Sequence, residues 1–339
     1  RGIAPVSAGP GIGGLIEGLH LRAKGHHDID GGGDSGFFKN EVVLRGLWRN
    51  QAKKTATQRI GIKLGYADEV SNASYLGLTR SDFAANPYRR YLASADDRMV
   101  WERRQAVLDH RMRWAGGRWR TAIYRHDFRR VWRKVAGLSD GPELGSLIRG
   151  GASGGTQAIW LALLKGEEDS ASDAMAIMLG TNARTYQSQG VQSTLENKLG
   201  NHRLHLGVRA HHDTIERRHS EEGFRVSQGE MLADGLGDQP SKQNHAWTRA
   251  LALHGLDEWR LGKRLFLSAG SRLEFLRGGL NDTLVGKRAD NEQIVLYSNL
   301  PNFLYIGRAT VHVGRYDHFG TRCNCILDQL GIYDRPLGL

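Results

Sequence analysis

Alternation of apolar and polar residues with a period of two constrains this chain more than any other feature. From Arg59 to Tyr66, Ile60, Ile62, Leu64 and Tyr66 fall on one face of an extended chain, and Arg59, Gly61, Lys63 and Gly65 on the other. Leu204, Leu206, Val208 and Ala210 alternate with Arg203, His205, Gly207, Arg209 and His211. Leu265, Leu267, Ala269, Ser271, Leu273 and Phe275 make a third such face. A helix gathers apolar residues three and four apart, so these segments are predicted strands. Val42, Leu44, Gly46 and Trp48 predict another, and 12–23, 98–115, 118–132, 187–199 and 245–260 predict strands with less regular faces. The expected fold class is all-β.

Alternation alone fits a soluble sandwich as well as a barrel, since both leave polar residues on one face of each strand. Two further features separate them. Short links are expected near 50–56, 116–117, 200–202 and 261–264, and long ones over 24–38, 67–97, 133–186, 217–244 and 278–292. Outer-membrane barrels alternate in this way, with short periplasmic turns and long extracellular loops. Of the eight tryptophans, Trp48, Trp114, Trp119 and Trp259 lie beside the short links. An interfacial aromatic girdle would lie there, although tryptophans that cap an ordinary core fit as well. Within 133–186, Ala158–Leu164 and Asp173–Leu179 are expected to form short helices.

The chain has 339 residues, enough for one large domain or two ordinary ones. It has no run of about 18 apolar residues, which excludes a membrane-spanning helix but not a barrel of strands. Its 47 Lys and Arg against 36 Asp and Glu give a net charge of +11, which fits nucleic acid, an anionic membrane surface or an anionic ligand. Cys323 and Cys325 cannot make a disulfide framework. The sequence opens on Arg1 without a signal peptide and is read as an internal fragment or a processed chain.

Longer stretches resemble a family. Gly14-Leu15-Ile16-Glu17-Gly18-Leu19-His20-Leu21, Asp28-Ile29-Asp30-Gly31-Gly32-Gly33-Asp34-Ser35-Gly36-Phe37 and Lys39-Asn40-Glu41-Val42-Val43-Leu44 look like the early barrel of TonB-dependent outer-membrane receptors. Lys63–Glu69 and Ser71–Thr79 continue the likeness, which is closest at Asp82-Phe83-Ala84-Ala85-Asn86-Pro87-Tyr88-Arg89-Arg90-Tyr91. Asp97-Arg98 and Trp101-Glu102-Arg103-Arg104 resemble the ferric citrate receptor type in particular. The resemblance spans residues 12–300 and implies an antiparallel transmembrane barrel of about 22 strands closed by a plug, with about ten of those strands in this chain. Residues 1–11 stay unassigned, and 301–339 form a divergent tail, read as out of frame or as part of a fragmentary gene model. Ferric siderophore, ferric citrate or another anionic iron chelate is the implied ligand. The implied partners are the TonB–ExbB–ExbD complex, acting through a plug with no matching residues here, and outer-membrane lipid or lipopolysaccharide. The implied location is the outer membrane, with no nucleic-acid partner.

No catalytic constellation is legible, so neither an enzyme nor a cofactor is expected. His26, His27, Asp28, Asp30 and Asp34 fail as an EF-hand because the twelfth position is Lys39, and Cys323-Asn324-Cys325 lacks a second pair at zinc spacing. Arg80, Arg89, Arg90, Arg98, Arg103 and Arg104 cluster beside Tyr75, Tyr88 and Tyr91. Guanidinium forks converging on one cavity suit carboxylates of a polyanionic chelate. By resemblance, Arg98 and Arg103, then Arg89 and Arg90, are the expected ligand contacts, with Arg80, Tyr88 and Tyr91 completing the set. The plainer readings are lipopolysaccharide phosphates, or ion pairs with Asp82, Asp96 and Asp97. A second basic run holds Arg118, Arg120, Arg125, Arg129, Arg130, Arg133 and Lys134; Arg125 shares parity with Trp119, Thr121 and Ile123, at odds with a simple lipid-facing assignment. The rival readings are a soluble basic β-protein that binds nucleic acid and a nonfunctional receptor fragment.

Overall fold

The strands are long and follow one another in chain order. The computed structural model describes residues 2–7, 11–50, 56–151, 154–172, 174–262, 265–299 and 305–306. Its elements are β1 (Gly2–Ser7), β2 (Ile12–Ala23), the two-residue β3 (Asp28–Ile29), β4 (Phe37–Arg49) and β5 (Ala56–Ser71). Then come α1 (Arg80–Ala85), β6 (Arg89–Arg90), a 3-10 turn at Leu92–Ser94, β7 (Arg98–Trp114) and β8 (Gly117–Leu138). The helices α2 (Leu144–Gly150) and α3 (Gly155–Lys165) precede β9 (Ile177–Leu199), β10 (His202–Ser227), β11 (Glu230–Ala233), β12 (Gln239–Arg260), β13 (Leu265–Asp282), β14 (Lys287–Asn299) and β15 (Tyr305–Ile306). One antiparallel sheet runs β1-β2-β4-β5-β7-β8-β9-β10-β12-β13-β14, with β11 beside β10 and β15 beside β13. Its end strands do not pair with each other among the described residues, so the sheet is an open arc, a segment of a β-barrel wall. No helix among the described residues is long and apolar enough to cross a membrane.

The two faces of this arc are inverted relative to a soluble protein. Ile62, Leu108, Ile123, Val191 and Leu206 lie on the apolar face and are 41–51% exposed, whereas Val43 and Ala67 on the polar face are 5% and 1% exposed. A sandwich would bury the first set. Trp48, Trp119 and Trp259 are exposed on the apolar face at its short-turn end, where a core-capping tryptophan would be covered and a girdle would not.

Connections alternate as expected, but several are shorter than the sequence suggests. The long ones cover 72–97 and 139–176; 217–244 is mostly strand, because β10 and β12 reach Ser227 and Gln239, and 278–292 closes as a turn between Asp282 and Lys287. Apart from Phe224 and Val226 near the end of β10, these extensions carry mostly polar residues, so little hydrophobic period announces them, and the backbone ladder makes them strands. Residues 2–7, unassigned from sequence, pair antiparallel with β2. Cys323, Cys325 and nearly all of the 301–339 tail lie outside the described residues.

The hydrophobic core sits in the long connections at one end of the wall. Tyr91, Leu92 and Ala93 pack with Leu147 of α2 and Trp160, Leu161, Leu163 and Leu164 of α3, over Val135, Ile177, Leu179, Phe224 and Val226 at the ends of β8, β9 and β10. Helix α2 starts where the Glu143 carboxylate accepts from the N–H groups of Gly145 and Ser146, and α3 stops at Gly166 in the left-handed region, φ 76°. The helix expected at Ala158–Leu164 is therefore α3. Where one is expected at Asp173–Leu179, the described residues 174–179 hold no helix, since Ile177 and Leu179 open β9, where β-branched and apolar residues pair across strands.

Candidate functional site

The cap is held together by residues that the sequence marks as ligand contacts. Arg89 reaches Asp30 at 3.0 Å, Asp82 at 3.4 Å and Glu167 at 3.1 Å, tying three connections together. Hydrogen bonding to Asp30, opposed by burial, raises its affinity for the proton further. Arg90 is 4% exposed; it donates to Ser94 Oγ at 2.9 Å and to the carbonyls of Asn72 and Ser94. Tyr91 is 1% exposed; its hydroxyl donates to Asp82 at 2.5 Å and accepts from the Thr79 N–H at 3.0 Å. Burial works to raise the Asp82 carboxyl, but hydrogen bonds from Tyr91, Lys165 and Thr79 outweigh it and hold it at about 2. Asp97 accepts from Ser74 Oγ at 2.5 Å and from the Val135 N–H at 2.9 Å, yet burial pushes its carboxyl up to about 6.

The expected contacts do not converge on one cavity. Arg98 and Arg103 are an odd number of residues apart on β7, so they stand on opposite faces. Arg103 shares the polar face with Trp101 and reaches Glu41 at 3.5 Å, while Arg98 shares parity with Val100 and Leu108 on the apolar face. Arg80 and Tyr88 are exposed on the cap. In the Gly-rich loop, Asp30 serves Arg89 and Asp34 Oδ1 accepts from the Gly36 N–H at 2.8 Å, and no set of three metal-ligating side chains converges among the described residues.

The strand register brings together a different set. Arg130 on β8, Arg184 on β9 and Arg217 on β10 stand directly opposite one another on the polar face. Cα atoms in such a row are about 5 Å apart, and like charges placed so repel. None of the three has an ion pair among the described residues; Arg184 Nε donates to Asn182 Oδ1 at 2.8 Å, and Arg130 lies over the Trp132 ring at 5.4 Å. The Nε groups of Arg130 and Arg217 are buried without a hydrogen-bond partner. Trp101, directly opposite Arg130, and Phe128 and Tyr186, one row towards the short turns, form an aromatic shelf with centroids 5.8–5.9 Å apart. One row towards the cap, Trp132 packs against Tyr75 of the 72–97 connection at 4.6 Å and His219 stands opposite Lys242, and Lys134, a row further on, lies over Trp132. The arrangement is a cationic wall with aromatic borders, suited to a compact polyanion held by several guanidinium forks. Sequence reasoning includes Arg130 only in a basic run and misses Arg184 and Arg217, which lie in stretches expected to be connections.

Comparison with known proteins adds the fold. No family model matches the chain, and no curated protein matches it. Among solved structures, it is similar to the ferric citrate transporter FecA in the unliganded form, with a TM-score of 0.54 and 13% identity over 87% of this chain and 37% of that one. It is similar to the siderophore receptor PiuA from Acinetobacter baumannii, with a TM-score of 0.54 and 10% identity over 87% of this chain and 43% of that one. The ferric yersiniabactin uptake receptor FyuA from Yersinia pestis gives a TM-score of 0.52 and 8% identity over 88% of this chain and 40% of that one. The chain thus spans about two-fifths of the length of these structures. At such identities the shared property is the fold.

Proposed function

We propose that this chain forms part of the wall and cap of an outer-membrane receptor that takes up an anionic iron chelate, a ferric siderophore or ferric citrate. In this reading the long connections face outward from the cell and the short turns face the periplasm. The chelate meets the Arg130–Arg184–Arg217 row in the lumen, and the TonB–ExbB–ExbD complex acts through a plug within the complete barrel. The carrying observation is that row of three arginines without a carboxylate among them. Mutual repulsion of the row is relieved when an anion with several oxygens bridges it, which gives both affinity and selectivity for charge. Arg103 belongs to the same wall; Arg89, Arg90 and Tyr91 serve the ligand by holding the cap, and Arg80, Arg98 and Tyr88 lie away from the row. No covalent step is required, because transport needs only different affinities in two states of the plug.

The test is ligand binding by the intact receptor carrying R130Q, R184Q and R217Q together. Loss of two charge-assisted contacts or more is expected to weaken ferric citrate or ferric siderophore binding by at least about tenfold, with each contact contributing about 1.5–3 kcal/mol. Unchanged affinity at low salt would refute the lumen site.

A further inference from the structure

One row on the apolar face breaks its pattern. Ile62, Leu108, Ile123, Val191, Ala210, Leu251 and Phe275 stand side by side across the sheet. One row further towards the long connections, the same face carries Arg125, Gln189, His212, Arg249 and Arg277, in register on β8, β9, β10, β12 and β13. Both rows line one shallow groove of about 900 Å³. Arg125 is turned to Asp127, at 2.9 and 3.1 Å. Arg249 lies over the Trp247 ring at 5.1 Å, and neither it nor Arg277, directly opposite, has an ion pair among the described residues.

A cation in the middle of a lipid-facing surface costs about 2–4 kcal/mol, and this falls to about 0–1 near the interface. A row of cations is therefore tolerable only where the apolar band ends. There, two facing arginines at the edge of an apolar groove match an amphiphile with an anionic head. A free polar anion would make no use of the groove, and an apolar chain alone would make no use of the arginines. Resting on the membrane placement proposed above, we infer that this groove binds a membrane lipid with a phosphate-bearing headgroup. Its acyl chain lies along the Ile123–Phe275 row, and its phosphate lies at Arg249 and Arg277, flanked by His212 and Arg125. This gives Arg125 a physical reason to stand on the apolar face.

The test uses the intact receptor in phosphatidylcholine nanodiscs, offered bis-phosphorylated lipid A or its dephosphorylated form, with retained lipid counted by native mass spectrometry. The phosphorylated form should be retained about tenfold more, equivalent to about 1.4 kcal/mol, and inorganic phosphate should not compete. R249Q/R277Q should lose the preference, and R249K/R277K, which keeps charge and bulk, should retain most of it. Equal preference in the glutamine variant, or competition by inorganic phosphate, overturns the lipid site while leaving the chelate site standing. An intact receptor that does not enter the nanodisc overturns the membrane placement as well.

Discussion

Two carboxylates in the cap illustrate how burial and partners oppose each other. Asp82 stays ionised at about 2 because three donors reach it, so its contribution to folding is present above the ordinary carboxylate value of 3.8 and lost only as pH falls towards 2. Asp97 has the opposite sign. Its folded value of about 6 exceeds the unfolded 3.8, so the folded cap favours the proton, and stability falls as pH rises from about 4 to about 6. The shift corresponds to roughly 3 kcal/mol between those limits. Hydrogen exchange at the Val135 amide, which donates to Asp97, should show greater protection at pH 4 than at pH 7. D97N keeps an acceptor for that amide and should flatten the dependence; an unchanged slope would assign it to another group. Residue identity made these arginines and carboxylates visible, but not their partners. Arg89 and Arg90 are adjacent in sequence, and one bridges three connections while the other is buried among carbonyls.

At the scale of elements, strands with one apolar face were legible and strands with two polar faces were not. The central parts of β5, β10 and β13 are evident from Ile60–Tyr66, Leu204–Ala210 and Leu267–Phe275, since a period of two admits no other regular structure. The outer parts of β9, β10 and β12 are held by ladder hydrogen bonds, to which side-chain polarity is indifferent. The arginine row lies in those parts, so its members looked unrelated. Helix α3 was legible from Ala158–Leu164, and its packing makes it the keystone of the cap. Leu164 is fully buried, and Leu164→Ala should cost about 2–5 kcal/mol. Because the wall does not depend on that core, the loss should appear as faster proteolysis and exchange within 139–176 while the amides of β5 and β7 remain protected. Loss of protection throughout would show that cap and wall fold as one unit.

For the whole molecule, the decisive property is a sheet whose apolar face is its more exposed one. Water does not tolerate so large an apolar surface, but hydrocarbon does. The natural gene product should therefore sediment with membranes and require detergent for extraction; recovery as a soluble protein without detergent would remove the receptor reading. The strands match this, since about 9–11 residues cross a bilayer and β10 has 26, leaving a long projection at the capped end. In the proposed membrane setting the backbone edges of β1 and β14, unpaired with each other among the described residues, would have to be paired. By itself the sequence determined that the chain is built of half-apolar strands with alternating connections, because side-chain period is a local property. Only the tertiary structure decided which residues stand together. Register converts positions dozens of residues apart into neighbours about 5 Å apart, which is how Arg130, Arg184 and Arg217 come to stand in one row on the polar face and Arg249 opposite Arg277 on the apolar face.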